Sequence, residues 1–354
     1  MPSPTTAYET SKAAAPLRLG SLCTGYGGLD VAVEHVFGTS MTWFAENDSH
    51  AAAVVDAHWP GVPNLGDLTS VEWSTVPAVD VLAAGIPCQP VSNAGKRKGT
   101  ADERWIWPHV AEAVRHLRPR IVVLENVAAI VNRGMDGILA SLAALGFDAV
   151  WGCYRASWAG APHRRDRWFL LGWPSELPSP AADASSERGR GPAVQAHAEP
   201  ARGQARPESA SGSVLAAAAA DPASIGHGNG GAPAGCWLPP VPVSGAAPPG
   251  SPVDGNGVDW GVYGPAIARW ELVTGRAAPH PTIRTDRGLR SSTRFVEWMQ
   301  GIASGWVTGR GLPRTAELRL LGNGVVPQQA VMALRDLMNH CPSASLPVSA
   351  SWSS

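Results

Sequence analysis

The strongest constraint on the fold is a short apolar run that ends in a proline-cysteine corner. Val79–Ala84 has the length and apolar character of a buried strand in a parallel sheet, and GIPCQPVS (Gly85–Ser92) follows it. The end of such a strand is a typical place for a reactive group. Pro87 fixes its own φ and disfavours helix at Ile86, so this corner can aim the Cys88 sulfur. A buried structural thiol is the alternative, because free cysteine is among the most buried residue types.

An earlier strand is followed by a glycine-rich turn and a helix. Leu17–Leu22 predicts the strand, CTGYGG (Cys23–Gly28) the turn, and the apolar spacing from Leu29 onwards the helix. Glycines let the backbone approach a ligand closely, and the first turn of a helix offers unpaired N–H groups. The unit therefore predicts a cradle for a nucleotide-like ligand.

The next strand points to the kind of nucleotide. Met41–Ala45 ends in Glu46, 21 residues after Gly25, a spacing that suits a carboxylate bound to ribose hydroxyls. A dinucleotide fingerprint would need a third glycine where this chain has Asp30, so an NAD-type oxidoreductase is disfavoured. S-adenosylmethionine, which has no pyrophosphate, fits better. Asp67 is expected either to cap a third strand and meet the adenine amino group or to cap a helix or turn.

A carboxyl group follows another apolar run. Ile121–Leu124 leads into Glu125, and an acid at the end of a buried strand is costly unless it is paired or used. If this run and Val79–Ala84 are neighbours in a parallel sheet, Cys88 and Glu125 meet over one edge. A thiol and a carboxyl group facing one pocket suit covalent attack combined with protonation of the substrate.

An arginine-rich turn, PHRRDR (Pro162–Arg167), separates strands predicted near 149–157 and 168–172. If the segment is extended, successive side chains alternate in direction, so Arg165 and Arg167 would lie on one face, available to a substrate oxygen or a phosphate. Alternatively, the segment is a plain hairpin turn whose charged side chains are only solvated. Helical periodicity is predicted in residues 105–117, 135–145 and the stretch after 327.

Composition limits the class of protein. The 354 residues are 44% hydrophobic, enough for a sizeable core, and the net charge of −1 means that any nucleic-acid-binding surface must be local. Five widely spaced cysteines predict neither a disulfide framework nor a metal site. No apolar stretch approaches a membrane span, so we expect a cytoplasmic protein with no membrane partner.

Together the motifs resemble those of the DNA (cytosine-5) methyltransferases of phage and bacterial type. In order they are LCTGYGGLD, Glu46, GIPCQPVSNAGKRKG, LENV, APHRRDRWF, RFVEWMQG and LLGNGVV. The glutamate of ENV lies 37 residues after the cysteine of GIPCQ, and this order is highly specific. The resemblance implies an α/β fold, a Rossmann-like S-adenosylmethionine-dependent methyltransferase sheet with helices on both faces, plus a small target-recognition domain.

The resemblance also implies a mechanism on a cytosine flipped out of duplex DNA. Cys88 would attack ring C6 as a thiolate, while Glu125 holds N3 and the amino group and supplies protonation. Arg165 would hold the cytosine O2 or the flanking phosphate, and Arg167 would support it. A base or water then removes the C5 proton and the thiol leaves. The implied catalytic set is Cys88, Glu125, Arg165, Arg167, Pro87 and Asn126.

Further residue roles follow from the same resemblance. Asn126 and Asn323 would pin loops, and Gln89, Ser92 and the basic flap at residues 93–104 would close over DNA. The implied cofactor-binding set is Cys23, Gly25, Gly27, Gly28, Leu29, Glu46, Asn47, Asp67, Leu68, Gly85, Asn323 and Val325. The implied DNA-binding set is Gln89, Ser92, Lys96, Lys98, Arg284, Arg287 and Arg294.

The chain departs from the family pattern at three places. Cys23 stands where an aromatic residue is common, His163 stands where a glutamine is usual, and RFVEWMQG lacks the proline that often follows its glycine. None of these departures removes a catalytic group, so an active enzyme is expected. Three alternatives stay open, namely methylation of transfer RNA, an inactive DNA-binding relic and the disfavoured NAD-dependent oxidoreductase. We also expect the partner to be double-stranded DNA and the protein to be a monomer associated with the nucleoid. A cognate restriction endonuclease is a possible further partner.

Composition divides the chain. From about Trp173 to Asn256 it is rich in Ala, Pro, Gly and Ser, and from Val258 onwards aromatic residues alternate with arginines. The predicted parts are a disordered leader (1–15), a catalytic and cofactor-binding domain (16–175), a low-complexity linker (176–256), a small target-recognition domain (257–314), a C-terminal helix returning to the catalytic domain (315–340) and a disordered tail (341–354).

Overall fold

The computed structural model describes residues 15–87, 105–175, 258–286 and 288–342. Its strands are β1 (Leu17–Leu22), β2 (Thr39–Ala45), β3 (Val81–Gly85), β4 (Ile121–Val127), β5 (Phe147–Arg155), β6 (Asp166–Pro174), β7 (Thr282–Thr285) and β8 (Gly288–Ser291). Its helices are α1 (Gly28–Phe37), α2 (Ser49–His58), α3 (Trp107–Leu117), α4 (Met135–Ala144), α5 (Gly264–Thr274), α6 (Thr293–Met299), α7 (Arg314–Asn323) and α8 (Pro327–Met338).

Six strands form one sheet in the order β2-β1-β3-β4-β6-β5. The first four are parallel, and β6 runs antiparallel to both β4 and β5. The carboxyl ends of β1 to β4 therefore share one edge of the sheet, where ligands of open α/β sheets usually bind. The predicted neighbours β3 and β4 do pair, with Gly85 opposite Glu125.

Helices cover both faces of this sheet. Val81 and Ala83 of β3 pack in the cluster that includes α1 and α8, whereas Leu82 and Ala84 pack in the cluster that includes α3 and α4. Successive side chains of a strand point to opposite faces, so a strand covered on both sides is apolar throughout. The predicted Rossmann-like α/β class is confirmed.

Two details differ from the expectation. Strand β6 continues through Trp173, where the composition changes; this residue is 7% exposed and pairs with Asp148 at the edge of the sheet, within the predicted catalytic domain. The C-terminal segment contains two helices, α7 and α8, where one was predicted. Pro327 has no N–H and stands at the first position of α8, where none is needed, so a new helix begins there.

Residues 258–314 share their apolar packing with the rest of the protein. Trp270 and Trp298 are almost completely buried, and they lie in one cluster with Ala156, Ala161 and Val326. A separate recognition domain thus stays a prediction. In the part of the chain that the structure describes, no helix has the length and apolar character needed to cross a membrane.

Candidate active site

A buried ion pair lies at the carboxyl edge of β4. The Glu125 side chain is 7% exposed, and its Oε1 lies 3.0 Å from Nε of Arg167, whose side chain is 15% exposed. Arg167 reaches it from the neighbouring antiparallel strand, where it stands opposite Val127. Burial raises the pKa of the Glu125 carboxyl group, and the charges of Arg167 and then Arg165 oppose this rise. A carboxyl group in this setting can hold a proton and share it with a substrate.

The end of β3 lies beside this pair, as the sequence predicts. The Glu125 carbonyl oxygen accepts a hydrogen bond of 3.1 Å from the residue after Gly85. A Cβ on Gly85 would lie 3.2 Å from the Cys23 carbonyl oxygen and 4.0 Å from Glu125 Oε2, so a side chain here would press on the backbone of the glycine turn. Pro87 is exposed just beyond the strand. Cys88 is the next residue in the sequence and lies outside the described residues.

Arg165 is directed toward the C-terminal glycines. Its φ is +37°, in the left-handed region, and β6 begins one residue later, so the alternation predicted for Arg165 and Arg167 is wrong at Arg165. The Gln329 side chain donates a hydrogen bond of 2.8 Å to the Arg165 carbonyl oxygen in this conformation. The guanidinium donates to the carbonyl oxygens of Gly322, at 3.2 Å, and Gly324. Arg165 therefore ties the arginine turn to residues 322–325, hereafter the GN segment, while its charge still acts on the Glu125 carboxyl group.

The glycine turn after β1 is held by Glu46. The Gly25 N–H donates to Glu46 Oε2 at 2.9 Å, so the spacing noted in the sequence joins two residues in contact. Gly25 has a φ of +59°, and a Cβ there would meet no atom within 4 Å, so the turn faces open space. Helix α1 begins at Gly28 without a side-chain cap, and each Glu46 oxygen can accept a second hydrogen bond. These features fit the adenosine part of the predicted S-adenosylmethionine.

Asp67 takes the capping role that was one of its two predicted alternatives. It begins a short 3-10 helix (Leu68–Ser70) and accepts a hydrogen bond of 2.9 Å from the Thr69 N–H. It does not cap a third strand, because β3 begins only at Val81. Its carboxylate also bonds the side chain of Asn47, another predicted cofactor residue. The two side chains thus form one polar group beside the turn.

Other predicted cofactor residues contribute less directly. Burial, followed by the charges of Glu46 and Asp67, raises the pKa of the Cys23 thiol. The Cys23 thiol therefore stays protonated at neutral pH and does not compete as a nucleophile. Leu29 and Leu68 are buried in the hydrophobic clusters on the two faces of the sheet, which leaves mainly their backbone groups for a ligand.

Tyr26 is a site residue that sequence reasoning missed. It is fully buried, and its hydroxyl group donates a short hydrogen bond to the Val325 carbonyl oxygen. A Cβ on Gly324 would lie 1.8 Å from the Tyr26 ring, and one on Gly28 would lie 2.3 Å from the Val325 oxygen. Trp306 Nε1 donates to the Tyr26 carbonyl oxygen at 2.8 Å. The only signal for this in the sequence is an aromatic residue between two glycines.

The two asparagines expected to pin loops differ. Asn126 is 1% exposed, and its Oδ1 accepts a hydrogen bond of 2.7 Å from the Val127 N–H. Among the described residues, its Nδ2 has no hydrogen-bond partner. Asn323 is exposed at the last position of α7, and nearby Val325 is buried with its carbonyl group on Tyr26. Val325 therefore supports the glycine turn from behind.

The structure describes two of the predicted DNA-binding residues. Arg284 is exposed on β7, and Arg294 is exposed on α6. The predicted DNA-binding residues outside the described part of the chain are Gln89, Ser92, Lys96, Lys98 and Arg287.

Comparison with known proteins supports the geometry. Residues 17–201, just over half of the chain, match the family model for C-5 cytosine-specific DNA methylase. The chain is 32% identical over 175 residues to the Type II methyltransferase M.BsuFI of Bacillus subtilis, which covers 48% of this chain and 42% of that protein. It is 34% identical over 168 residues to the Type II methyltransferase M.HgiBI of Herpetosiphon aurantiacus, which covers 45% and 38%. The chain thus spans about two fifths of the length of these curated relatives.

A solved structure shares the fold. It is that of the methyltransferase EhMeth of Entamoeba histolytica, with a TM-score of 0.52, 14% sequence identity and coverage of 92% of this chain and 99% of that chain. The family match is consistent with the sheet order, the buried carboxyl group and the glycine turn described above. The chain belongs to the C-5 cytosine-specific DNA methylase family.

Proposed function

We propose that this protein is a DNA cytosine-5 methyltransferase, which transfers a methyl group from S-adenosylmethionine to C5 of a cytosine flipped out of duplex DNA. The observation that carries the proposal is the buried Glu125–Arg167 pair, in register with the strand that leads to Cys88. Membership of the family supports it. We include in the proposal a monomer in the bacterial cytoplasm, near the nucleoid, and a restriction-modification setting.

The residues around the glycine turn would hold the cofactor. The backbone of Gly25 and Gly27 would approach it, and Glu46 would accept hydrogen bonds from ribose hydroxyls. Asn47 and Asp67 would meet the adenine. When bound, S-adenosylmethionine supplies the electrophilic methyl group.

The protein's own groups would activate the cytosine. The Cys88 thiolate attacks C6, and as the S–C6 bond forms, the electron pair of the C5–C6 double bond moves toward C5 and N3. Glu125, protonated more readily than an exposed acid because it is buried, hydrogen-bonds N3 and neutralises the charge that develops there. Arg167 keeps the carboxyl group in place. Once C5 carries the methyl group, a base or water removes its proton, the C5–C6 double bond returns and the thiolate leaves.

Arg165 and Tyr26 would keep the site in shape. Arg165 holds the carbonyl groups of the GN segment, and Tyr26 joins the glycine turn to Val325 in the same segment. The catalytic edge and the cofactor turn are thus fixed by one stretch of chain. Reacting groups held in this way need little reorganisation before the reaction.

The test is cytosine-methylation sequencing of DNA from a methylation-free bacterial host that expresses the protein. The wild type, Cys88→Ala and Cys153→Ala are compared, since Cys153 is an exposed thiol on β5 and serves as the matched control. We expect methylated cytosines in one short sequence context with the wild type and Cys153→Ala, and none with Cys88→Ala. Methylation confined to the cells' RNA would replace the proposal by an RNA methyltransferase, and soluble wild type that methylates neither polymer would refute catalysis.

A further inference from the structure

An open groove lies between α6 and the loop that follows it. Its volume is about 460 Å³. It is lined by Arg294, Ser304, Gly305, Thr308, Gly309 and Arg310. We propose that this groove binds a backbone phosphate of the DNA, an inference that rests on the proposed function. The sequence singles out Arg294 but not Arg310 or the hydroxyl residues between them.

The loop that forms the groove is built around a buried carboxylate. Glu297 is 1% exposed, and it accepts hydrogen bonds from the N–H groups of Gly305 (2.9 Å), Val307 (2.7 Å) and Thr308 (2.8 Å) and from the Thr308 hydroxyl group (2.7 Å). Hydrogen bonds to an ionised group are about twice as strong as neutral ones, so the loop geometry is well fixed. These N–H groups are already used, so the arginine side chains must supply most of the binding.

Arg310 is held in position before any ligand arrives. Its Nε donates to the Trp306 carbonyl oxygen at 2.6 Å, and its Nη2 lies 3.0 Å from His58 Nε2. The His58 ring stacks on Trp306 with centroids 3.5 Å apart and an angle of 9°. Fixing a free arginine side chain on a ligand costs rotamer entropy. Part of that cost is already met here by contacts within the protein.

The charges and shape of the groove favour a phosphodiester. Arg294 and Arg310 are both exposed, and a guanidinium group matches the geometry of phosphate oxygens. The acid beneath them, Glu297, is screened by its four donors and lies near Arg276, while Glu317 accepts from the Gly309 N–H at 3.3 Å. The groove is open to solvent, so a phosphate that is part of a longer chain can reach it.

The loop that lines the groove also contacts the glycine turn. Trp306, inside the same loop, bonds the carbonyl group of Tyr26 in the glycine turn. That turn follows β1, whose carboxyl end shares the edge with Gly85 and Glu125. A DNA backbone in the groove would therefore run beside the site that we propose receives the flipped cytosine.

The test measures the affinity for duplex DNA as a function of salt. Arg294→Gln and Arg310→Gln are compared with Arg120→Gln, an exposed arginine just before β4 and roughly 16 Å from Glu125 along the strand. Each lost phosphate contact should lower the slope of log Kd against log salt by about 0.9. We expect this decrease in both groove variants, none in Arg120→Gln, and an unchanged methylated sequence. Arg310→Lys, which keeps the charge, should retain most of the slope if the loop stays folded.

The outcomes separate this inference from the proposed function. Wild type that binds and methylates DNA, with groove variants whose slopes equal that of Arg120→Gln, would overturn the groove alone. Wild type that binds no DNA would overturn both. Inorganic phosphate, added at constant ionic strength, distinguishes a backbone site from a site for the free anion. Displacement of DNA by inorganic phosphate, but not by chloride at the same ionic strength, would identify the free anion as the ligand.

Discussion

The Glu125–Arg167 pair predicts that Arg167→Gln destabilises the protein in a pH-dependent manner. The change keeps a hydrogen-bond donor but removes the nearest cation from a carboxyl group that is 7% exposed. Breaking a buried ion pair from one side costs about 3–5 kcal/mol of unfolding free energy. Arg165 also acts on Glu125 and remains in the variant, so we expect about 3 kcal/mol, the lower end.

The pH dependence follows from the pKa of Glu125. Burial already raises it above the usual value of 4.5, and removing the Arg167 charge raises it further. A carboxyl group with a higher pKa in the folded than in the unfolded protein stabilises the folded state when it is protonated in both. This stabilisation is complete below the unfolded pKa and is lost as the pH rises through the folded pKa. The cost grows by about 1.36 kcal/mol for each unit of added shift. The destabilisation by Arg167→Gln should therefore be small at pH 4.5 and largest at pH 8.

Urea unfolding followed by tryptophan fluorescence at pH 4.5, 6 and 8 measures this difference. The double variant Glu125→Gln/Arg167→Gln is the control, because it has no carboxyl group at position 125 and should lose the extra pH dependence. The slope of the transition should stay constant, so that midpoints report stability. Equal destabilisation of Arg167→Gln at pH 4.5 and pH 8 would refute the reasoning.

Two further changes test the contacts around the site. Gly324→Ala would place a Cβ 1.8 Å from the Tyr26 ring and should lower the unfolding free energy by about 1–3 kcal/mol through overpacking. Gly322→Ala is the control, because its Cβ would meet no atom within 4 Å. Comparable thermal midpoints in the two variants would contradict this. His163, whose Nε2 lies 2.9 Å from the Met299 carbonyl oxygen, has its pKa lowered from 6.5 to about 4 by burial. Its contribution to stability should be present above pH 6.5 and fall by about 3 kcal/mol as the pH drops to 4. His163→Gln keeps a donor and should remove this part of the acid sensitivity, which urea midpoints from pH 7 to 4 would show.

The edge of the sheet that carries the candidate site could be predicted from the sequence because buried parallel strands leave a strong local pattern. Runs that are apolar on both faces can occupy only the centre of such a sheet, and their lengths place the following residues at its edge. Gly85 and Glu125 follow two such runs, and the structure pairs them directly. The spacing from Gly25 to Glu46 is equally local, since one helix and one strand separate the two.

The different contacts of the two arginines, Arg165 and Arg167, could not be predicted. Strand periodicity treats Arg165 and Arg167 as equivalent, but the left-handed backbone at Arg165 turns its side chain to the GN segment. The carbonyl oxygen of Arg165 accepts a hydrogen bond from Gln329, which lies 164 positions further along the chain. A contact of this kind leaves no periodic signal. The buried role of Glu297 is hidden for the same reason, because an isolated acid on a short helix normally indicates a solvated face.

The site depends on chain far beyond the stretch that matches the family. Tyr26 and Arg165 lie within residues 17–201, yet both obtain hydrogen-bond acceptors from residues 322–325. A buried hydroxyl group that loses its acceptor costs about 1–3 kcal/mol, and the glycine turn would lose the Val325 carbonyl group against which Tyr26 is packed. Helix α8 holds this segment in place, because its apolar face packs on α1 in the same core cluster. The packing of α8 on α1 therefore both buries that helix and fixes the segment that supports the proposed cofactor turn.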